Sequence, residues 1–204
     1  MKPIEQFFEE IEDKLKEEVQ NLDQTHPKLM ILFSGIPGSG KSFYAKAAEE
    51  EFRGVRISSE RVRILLQEHI KPKYHYSTDW QEDFVANFLR YFIEKNCQIN
   101  GLVILDKSID RKFQETTSWA KNRGWKWLTI QIEASPEKLV ERLKQKETYP
   151  KSEHLLDPKG YLENLPRWEK DHQNFISQNK TDLTIDNNRE PQLQEVFDLI
   201  RSRI

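Results

Sequence analysis

Apolar and polar residues follow one another along the chain in blocks that predict strands separated by helices. Short runs of branched apolar residues are typical of buried parallel strands, and each is followed by a segment of helical periodicity or composition. The five predicted strands cover residues 29–33, 54–58, 102–106, 127–132 and 182–186. Strands that alternate with helices in this way indicate an α/β sandwich with a mostly parallel sheet.

The segments between these strands predict the helices and their caps. The predicted helices cover about residues 42–50, 60–69, 78–96, 111–123, 136–146, 167–178 and 191–204. Ser59 and Ser135 are expected to cap the helices that follow them, because a serine hydroxyl accepts a hydrogen bond from the first helical turn. A polar stretch from Glu147 to Pro166, interrupted by three prolines and one glycine, is typical of a mobile lid.

The chain begins with an amphipathic helix, over residues 1–26, that precedes a main domain over residues 27–204. Its apolar residues recur at spacings of three and four: Ile4, Phe7, Phe8, Ile11, Leu15, Val19 and Leu22. We expect this stripe to pack on the sheet domain. The alternative is that it packs on a second copy of the protein and forms a homo-oligomer.

Composition excludes several classes of protein. With 36% hydrophobic and 32% charged residues and no long apolar run, the 204-residue chain is not expected to cross a membrane, and without a signal peptide it is expected to be cytoplasmic. Its single cysteine, Cys97, excludes an internal disulfide and a Cys-based zinc site. The net charge of -2 does not indicate nucleic-acid binding, which would need a local basic groove.

The residues between the first strand and its helix fit G-x-x-x-x-G-K-[ST], the pattern of a phosphate-binding loop. Three glycines let the backbone N–H groups converge on an anion, and the helix amino terminus adds to the attraction. Lys41 is predicted to bind the β and γ phosphates of ATP, and the Ser42 hydroxyl to bind Mg²⁺. The predicted nucleotide-contacting residues are Gly35, Pro37, Gly38, Ser39, Gly40, Lys41, Ser42 and Phe43.

Together with four looser motifs, this loop resembles the small AAA-type P-loop kinases, which include the 5′-hydroxyl polynucleotide kinases and small-molecule kinases. The resemblance spans about residues 29–188, and the looser motifs are residues 57–63, 103–106, 133–137 with Arg142, and 183–186. It implies a three-layer P-loop sandwich with the strand order 2-3-1-4-5. It also implies a helical lid at about residues 147–168 and transfer of the ATP γ-phosphoryl group to a hydroxyl.

The resemblance also implies roles for four residues outside the loop. Where the family has Asp-x-x-Arg after the second strand, this chain has Glu60-x-x-Arg63; Glu60 is predicted to be the base and Arg63 to bind a phosphate or the acceptor. Asp106 lies at the Walker B position and is predicted to help bind Mg²⁺. Arg142 resembles the lid arginine that neutralises phosphoryl charge. The alternative for Glu60 and Arg63 is a surface ion pair. The alternative for Asp106 is a cap of the turn after its strand, and that for Arg142 is a solvated charge on a helix.

Some positions depart from the family or leave alternatives open. Where the family has a second lid arginine, this chain has Lys146. Arg167, on the far side of the lid, is a weaker candidate for a lid arginine. Four aromatic residues lie where such kinases bind the acceptor, and they either stack on it or, as we favour, pack on the core: Tyr74, His75, Tyr76 and Trp80. Four histidines show no metal-ligand spacing and are expected to be surface or core residues: His26, His69, His154 and His172.

The sequence therefore predicts an ATP- and Mg²⁺-dependent kinase whose acceptor is a polynucleotide 5′-hydroxyl, a nucleoside, a nucleotide sugar or another small alcohol. We lean toward a nucleic-acid or nucleotide acceptor. One alternative is a nucleotide-dependent switch or regulatory ATPase that phosphorylates no acceptor. Another is a toxin-like kinase that acts on a nucleotide sugar.

Overall fold

Strands and helices alternate along the chain as predicted. The computed structural model describes residues 4–19, 27–69, 78–97, 101–145 and 158–204. The strands are β1 (Leu29–Ser34), β2 (Val55–Ser58), β3 (Leu102–Ser108), β4 (Lys126–Glu133) and β5 (Leu183–Asp186). The helices are α1 (Ile4–Glu18), α2 (Lys41–Phe52), α3 (Ser59–His69), α4 (Thr78–Asn96), α5 (Phe113–Asn122), α6 (Pro136–Gln145), α7 (Pro158–Gln178) and α8 (Leu193–Arg201).

The five strands form one parallel sheet in the order β2-β3-β1-β4-β5, which confirms the predicted order. The chain turns back after β2 to place β3 beside β1, and then crosses to the other side of β1 to form β4. All carboxyl ends therefore meet at one edge of the sheet, where ligands bind in open α/β folds.

Helices cover both faces of the sheet and complete the three-layer sandwich. Along β1, Met30 and Leu32 face the hydrophobic cluster that includes residues of α1, α3 and α4. Leu29, Ile31 and Phe33 face the opposite cluster, which includes residues of α2 and α8. Side chains alternate between the faces of a strand, so a strand that is apolar throughout is buried on both sides.

The apolar stripe of α1 packs inside this chain. Ile11 and Leu15 are buried in the same cluster as α3 and α4. The ring of Phe8 lies 5.1 Å from that of Phe84 and 5.5 Å from that of Phe88, edge to face in both pairs. Because α3 and α4 cover these residues, their packing favours the expected contact within the chain over a contact with a second copy.

A buried carboxylate also fastens α1 to α4. Glu12 is 1% exposed and accepts hydrogen bonds from the Tyr91 hydroxyl at 2.7 Å, Lys95 Nζ at 2.7 Å and Asn96 Nδ2 at 3.1 Å. Tyr91 and Lys95 contact Oε2 and Asn96 contacts Oε1, from which Lys16 Nζ also lies 2.5 Å. Burial alone would raise the pKa of Glu12, but these four donors lower it to about 2.

We expect the Glu12→Gln variant to be less stable than the wild type by about 2 kcal/mol at pH 7. Because the pKa of Glu12 is lower in the folded chain, its contribution is present above the unfolded value of 4.5 and is lost as the pH falls toward 2. Urea unfolding at several pH values measures both effects. Glu9→Gln, at an exposed position of α1, is the control; equal unfolding midpoints for Glu12→Gln and wild type at pH 7 would contradict the prediction.

The structure corrects the predicted cap of α3. Ser58, rather than Ser59, accepts the hydrogen bond from the backbone N–H of Arg61, at 3.4 Å. Ser59 is the first helical residue, and its hydroxyl donates to the backbone oxygen of Asp106 at 3.4 Å. The predicted cap at Ser135 is confirmed, since its hydroxyl accepts from the N–H of Lys138 at 3.3 Å.

Part of the predicted lid is helical. Residues 147–157 of that segment lie outside the described residues, whereas 158–168 form the first half of α7. The expected interruption at Pro166 is wrong, because α7 continues through this proline. Burial of Tyr161 and Leu165 against Leu143 of α6 offsets the missing backbone hydrogen bond.

None of the helices in the described part of the chain combines the length and the apolarity that a membrane crossing requires.

Candidate active site

The loop between β1 and α2 has the backbone conformation that its glycines permit. Gly35, Gly38 and Gly40 all have positive φ angles, of 136°, 88° and 111°. A Cβ on Gly35 would lie 2.4 Å from the backbone oxygen of Ile132, and one on Gly40 would lie 2.2 Å from Asn187 Nδ2. The loop is therefore packed so closely against the ends of β4 and β5 that only glycine fits at these two positions.

Lys41 folds back over this loop. Its ammonium group donates to the backbone oxygens of Gly35 at 2.7 Å and Ile36 at 2.8 Å, and it lies 3.4 Å from Ser39 Oγ. The cation is thus held at the mouth of a loop whose amide groups precede a helix amino terminus. Backbone N–H groups, a helix dipole and a cation together favour the binding of a polyanion such as a triphosphate.

Ser42 and Asp106 meet beside the loop, as the predicted metal site requires. The Ser42 hydroxyl donates to Asp106 Oδ1 at 2.7 Å, and Arg56 Nη1 donates to Asp106 Oδ2 at 2.9 Å. Arg56 Nε in turn donates to Glu49 Oε2 at 2.6 Å. Burial would lower the pKa of Arg56, but Glu49 and Asp106 together raise it, so its charge is kept.

Sequence reasoning missed Arg56 and Glu49. The one signal for Arg56 was a charged residue inside the short apolar strand β2, between Val55 and Ile57. Glu49 carried no signal, because acidic residues are common on an exposed helix face.

Arg142 binds the loop from the other side. Its Nη1 donates to the backbone oxygens of Gly38 at 3.1 Å and Ser39 at 3.2 Å, and its Nη2 donates to that of Asn187 at 3.1 Å. Asn187 Nδ2 donates to the Ser39 oxygen at 2.6 Å. Arg142 is therefore not a solvated helix charge. Asn187 was missed, although a polar residue directly after the last strand is the position from which a side chain reaches this edge of the sheet.

Glu60 and Arg63 lie on the first turns of α3, next to the carboxyl end of β3. Arg63 Nη1 donates to the backbone oxygen of Ser59 at 3.3 Å. Burial lowers the pKa of Arg63, while Glu82 on α4, the Tyr161 phenol on α7 and Glu60 act in the opposite direction. The Arg63 side chain is only partly exposed, which argues against the alternative of a solvated surface ion pair. The groups that act on its pKa belong to α3, α4 and α7.

Several predicted residues are not brought into this arrangement. Phe43 is 48% exposed on α2, with its ring edge to face against Tyr44 at 5.3 Å, and Arg167 is exposed on α7. Among the histidines, His172 is a buried residue. The following residues, or their side chains, lie outside the described residues: His26, His69, Tyr74, His75, Tyr76, Trp80, Lys146 and His154.

The donor set fits Mg²⁺ bound together with a nucleotide. A hydroxyl and a carboxylate lie 2.7 Å apart beside the lysine of the loop, and both are the hard oxygen ligands that Mg²⁺ prefers. Within the described ranges there is no group of three or more His, Cys, Asp or Glu side chains that could hold a metal ion alone. Mg²⁺ commonly uses one or two protein oxygens plus phosphate and water oxygens, so Ser42 and Asp106 are sufficient.

Comparison with known proteins gives one family and several solved structures. The model of the family described as AAA domain matches residues 30–163. No curated protein matches the chain. A candidate kinase from Chloroflexus aurantiacus is 16% identical, with a TM-score of 0.60 over 88% of this chain and 100% of its own.

Two further structures share the fold. The APS kinase of Mycobacterium tuberculosis, solved with AMPPNP and APS, is 16% identical, with a TM-score of 0.55 over 87% of this chain and 99% of its own. Shikimate kinase from Bacteroides thetaiotaomicron is 14% identical, with a TM-score of 0.53 over 85% and 98%. At these identities the likeness establishes the fold.

Proposed function

Since the chain belongs to the AAA domain family, we propose that it is an ATP- and Mg²⁺-dependent kinase that transfers the γ-phosphoryl group to a hydroxyl acceptor. The observation that carries this proposal is the hydrogen bond between Ser42 and Asp106 beside Lys41. A loop that only bound an anion would need no more than its backbone N–H groups and the lysine. The added hydroxyl and carboxylate are the groups that a nucleotide-bound Mg²⁺ requires.

On the nucleotide side, the loop amides and Lys41 bind the β and γ phosphates. Ser42 and Asp106 would hold Mg²⁺, which when bound would neutralise charge on the phosphates. Arg142 is already held over the loop by three backbone oxygens, two of the loop itself and that of Asn187. Its positive charge stabilises the negative charge of the phosphoryl group during transfer.

On the acceptor side, Glu60 accepts the proton of the acceptor hydroxyl. That oxygen forms a bond to the γ phosphorus, the bond between this phosphorus and the β–γ bridging oxygen breaks, and ADP leaves. Arg63 binds a negatively charged group of the acceptor, since a half-buried guanidinium favours an anion. We therefore propose an acceptor that carries a phosphate or a carboxylate, such as a nucleotide, a 5′-hydroxyl polynucleotide or an acidic alcohol.

Transfer of labelled γ-phosphate tests this function directly. The purified protein is incubated with labelled ATP, Mg²⁺ and, one at a time, 5′-hydroxyl DNA and RNA, nucleotides, nucleosides, nucleotide sugars and acidic alcohols. Label on one anionic acceptor supports the proposal and names its class. Label on a nucleotide sugar, together with growth arrest that depends on Lys41, would favour the toxin-like kinase. Tight ATP binding without label on any acceptor would favour the nucleotide-dependent switch.

We expect Glu60→Gln to lower kcat by about 10²-fold, because the amide cannot accept the acceptor proton. The affinity for ATP should be unchanged, since Glu60 lies on the acceptor side. Glu60→Asp, which restores the family's residue, should retain measurable transfer. Steady-state kinetics with the identified acceptor measure these effects. Glu68→Gln on the exposed side of α3 is the control, and wild-type kcat in Glu60→Gln would exclude Glu60 as the base.

A further inference from the structure

One face of α7 forms a stripe along the helix that contains a single histidine. The stripe residues lie four, three, four and three positions apart, so they share one face: Tyr161, Leu165, Trp168, His172 and Phe175. Its first two residues pack on Leu143 of α6, and Phe175 packs on Phe113 with ring centroids 5.2 Å apart. His172 has a side chain that is 8% exposed. A buried polar residue in such a stripe calls for a partner.

The partner of His172 is Asp110. Its Oδ2 lies 2.9 Å from His172 Nδ1, which also lies 3.4 Å from Ser34 Oγ. Ser34 directly precedes the first glycine of the phosphate loop. The side chain of Asp110 is 6% exposed, and its other oxygen, Oδ1, is buried without a hydrogen-bond donor.

The geometry of β3 places Asp110 beside the phosphate loop. The β1–β3 register shifts between Leu32 and Phe33, and the N–H of Ile109 then donates to the backbone oxygen of Phe33 at 2.9 Å. Burial would raise the pKa of Asp110, but the hydrogen bond from His172, the nearby Ser34 hydroxyl and the charge of Lys41 lower it below its usual range. The carboxylate is therefore ionised.

A second contact fixes the same part of α7. Arg111, next to Asp110, has its Nε 3.6 Å from Oδ2 of Asp171, the residue next to His172. Arg111 also pairs with Glu82 of α4. Asp110 and Arg111 of the β3–α5 segment thus contact two consecutive residues of α7, His172 through a hydrogen bond and Asp171 through a longer ion pair. Both contacts oppose sliding and rotation of the helix.

The position of α7 matters at its amino-terminal end. There Tyr161 and Leu165 pack on Leu143 of α6, and Tyr161 is one of the groups that influence the pKa of Arg63. An apolar stripe alone tolerates sliding by one helical turn, about 5.4 Å, which would carry Tyr161 away from Leu143. A buried polar pair disfavours such a slide, because it would leave an ionised carboxylate without its donor.

We propose that Asp110 and His172 are positioning residues. The pair holds α7 against Ser34 at the position along its axis at which Tyr161 and Leu165 pack on Leu143 of α6, and so aligns the amino-terminal half of α7, on the acceptor side of the site, with the phosphate loop. The expected changes in kcat and KM rest on the proposed kinase function, whereas the expected effect on the position of α7 does not.

The test is the double variant Asp110→Leu with His172→Phe, because a single change would leave one polar partner buried alone. Replacing a buried pair with apolar residues is often neutral or stabilising, so we expect an unchanged or higher Tm. We expect kcat to fall about tenfold and the acceptor KM to rise about tenfold, with the ATP affinity within about twofold of wild type. Lys112→Gln, which removes an exposed pair with Asp83 in the same segment, is the control.

A measurement that needs no enzymatic activity distinguishes a failure of the positioning role from a failure of the proposed kinase function. In the ligand-free double variant, amide hydrogen exchange over residues 159–165 should be about tenfold faster than in wild type, with α5 unchanged. Faster exchange in a protein that phosphorylates no acceptor would support the positioning role and refute the kinase. Unchanged exchange, or faster exchange with wild-type kcat and KM in an active kinase, would overturn the proposal.

Discussion

Replacing Lys41 with alanine is expected to lower kcat/KM for phosphoryl transfer by about 10³-fold, the largest effect we expect of any side-chain truncation in this protein. The ammonium group is already held at the mouth of the loop by the backbone oxygens of Gly35 and Ile36. In the proposed reaction its charge would stabilise the phosphates, whose negative charge shifts during transfer. Alanine removes that charge and leaves the backbone of the loop in place.

The rate of transfer of labelled γ-phosphate is measured with the acceptor identified among the compounds tested above. The affinity for ATP is measured by calorimetry. Lys46→Ala is the matched control, since Lys46 is an exposed lysine of the same helix. We expect wild-type kinetics for Lys46→Ala and a Tm close to wild type for both variants. Transfer by Lys41→Ala at more than about one tenth of the wild-type rate would show that the lysine does not act on the phosphates.

Local patterns predicted most elements of the fold because each strand here is a short apolar run. The strand order, in contrast, came from the resemblance, since no local pattern says that β3 lies between β2 and β1. Errors arose where tertiary contacts outweighed local preference. Pro166 lies inside α7, whose neighbours Tyr161 and Leu165 are buried against α6. Ser58 caps α3 although Ser59 was the expected cap.

Local patterns alone predicted the candidate site only where its residues are close in sequence, whereas Asp106 and Arg142 were predicted from the family resemblance. The phosphate loop is one continuous motif, and Glu60 and Arg63 are three residues apart. Arg56 and Asp106 are 50 residues apart, and Asn187 lies 148 residues after the loop residue that it binds. Hydrogen bonds between such distant residues leave no periodicity in a single sequence. They depend on which strand ends the sheet brings together.

Asp106→Asn is expected to lower kcat by about 10²-fold and to raise the Mg²⁺ concentration needed for half-maximal rate. The asparagine side chain has nearly the same shape, and its oxygen can still accept the Ser42 hydrogen bond. What is lost is the negative charge that faces Arg56 and would face the metal. Titration of Mg²⁺ at saturating ATP and acceptor measures the shift. A variant with the wild-type Mg²⁺ dependence would exclude Asp106 from metal binding.

Glu49→Gln separates two roles that Asp106 has in this structure. Arg56 is shared between Glu49 and Asp106, at 2.6 and 2.9 Å, so either substitution removes one of its carboxylate partners. If Asp106 acts through the metal, Glu49→Gln should change kcat by only about twofold and leave the Mg²⁺ dependence unchanged, since Glu49 does not contact Ser42. If the two variants lose activity equally, the requirement is for a correctly held Arg56, and Asp106 contributes as its partner instead of as a metal ligand.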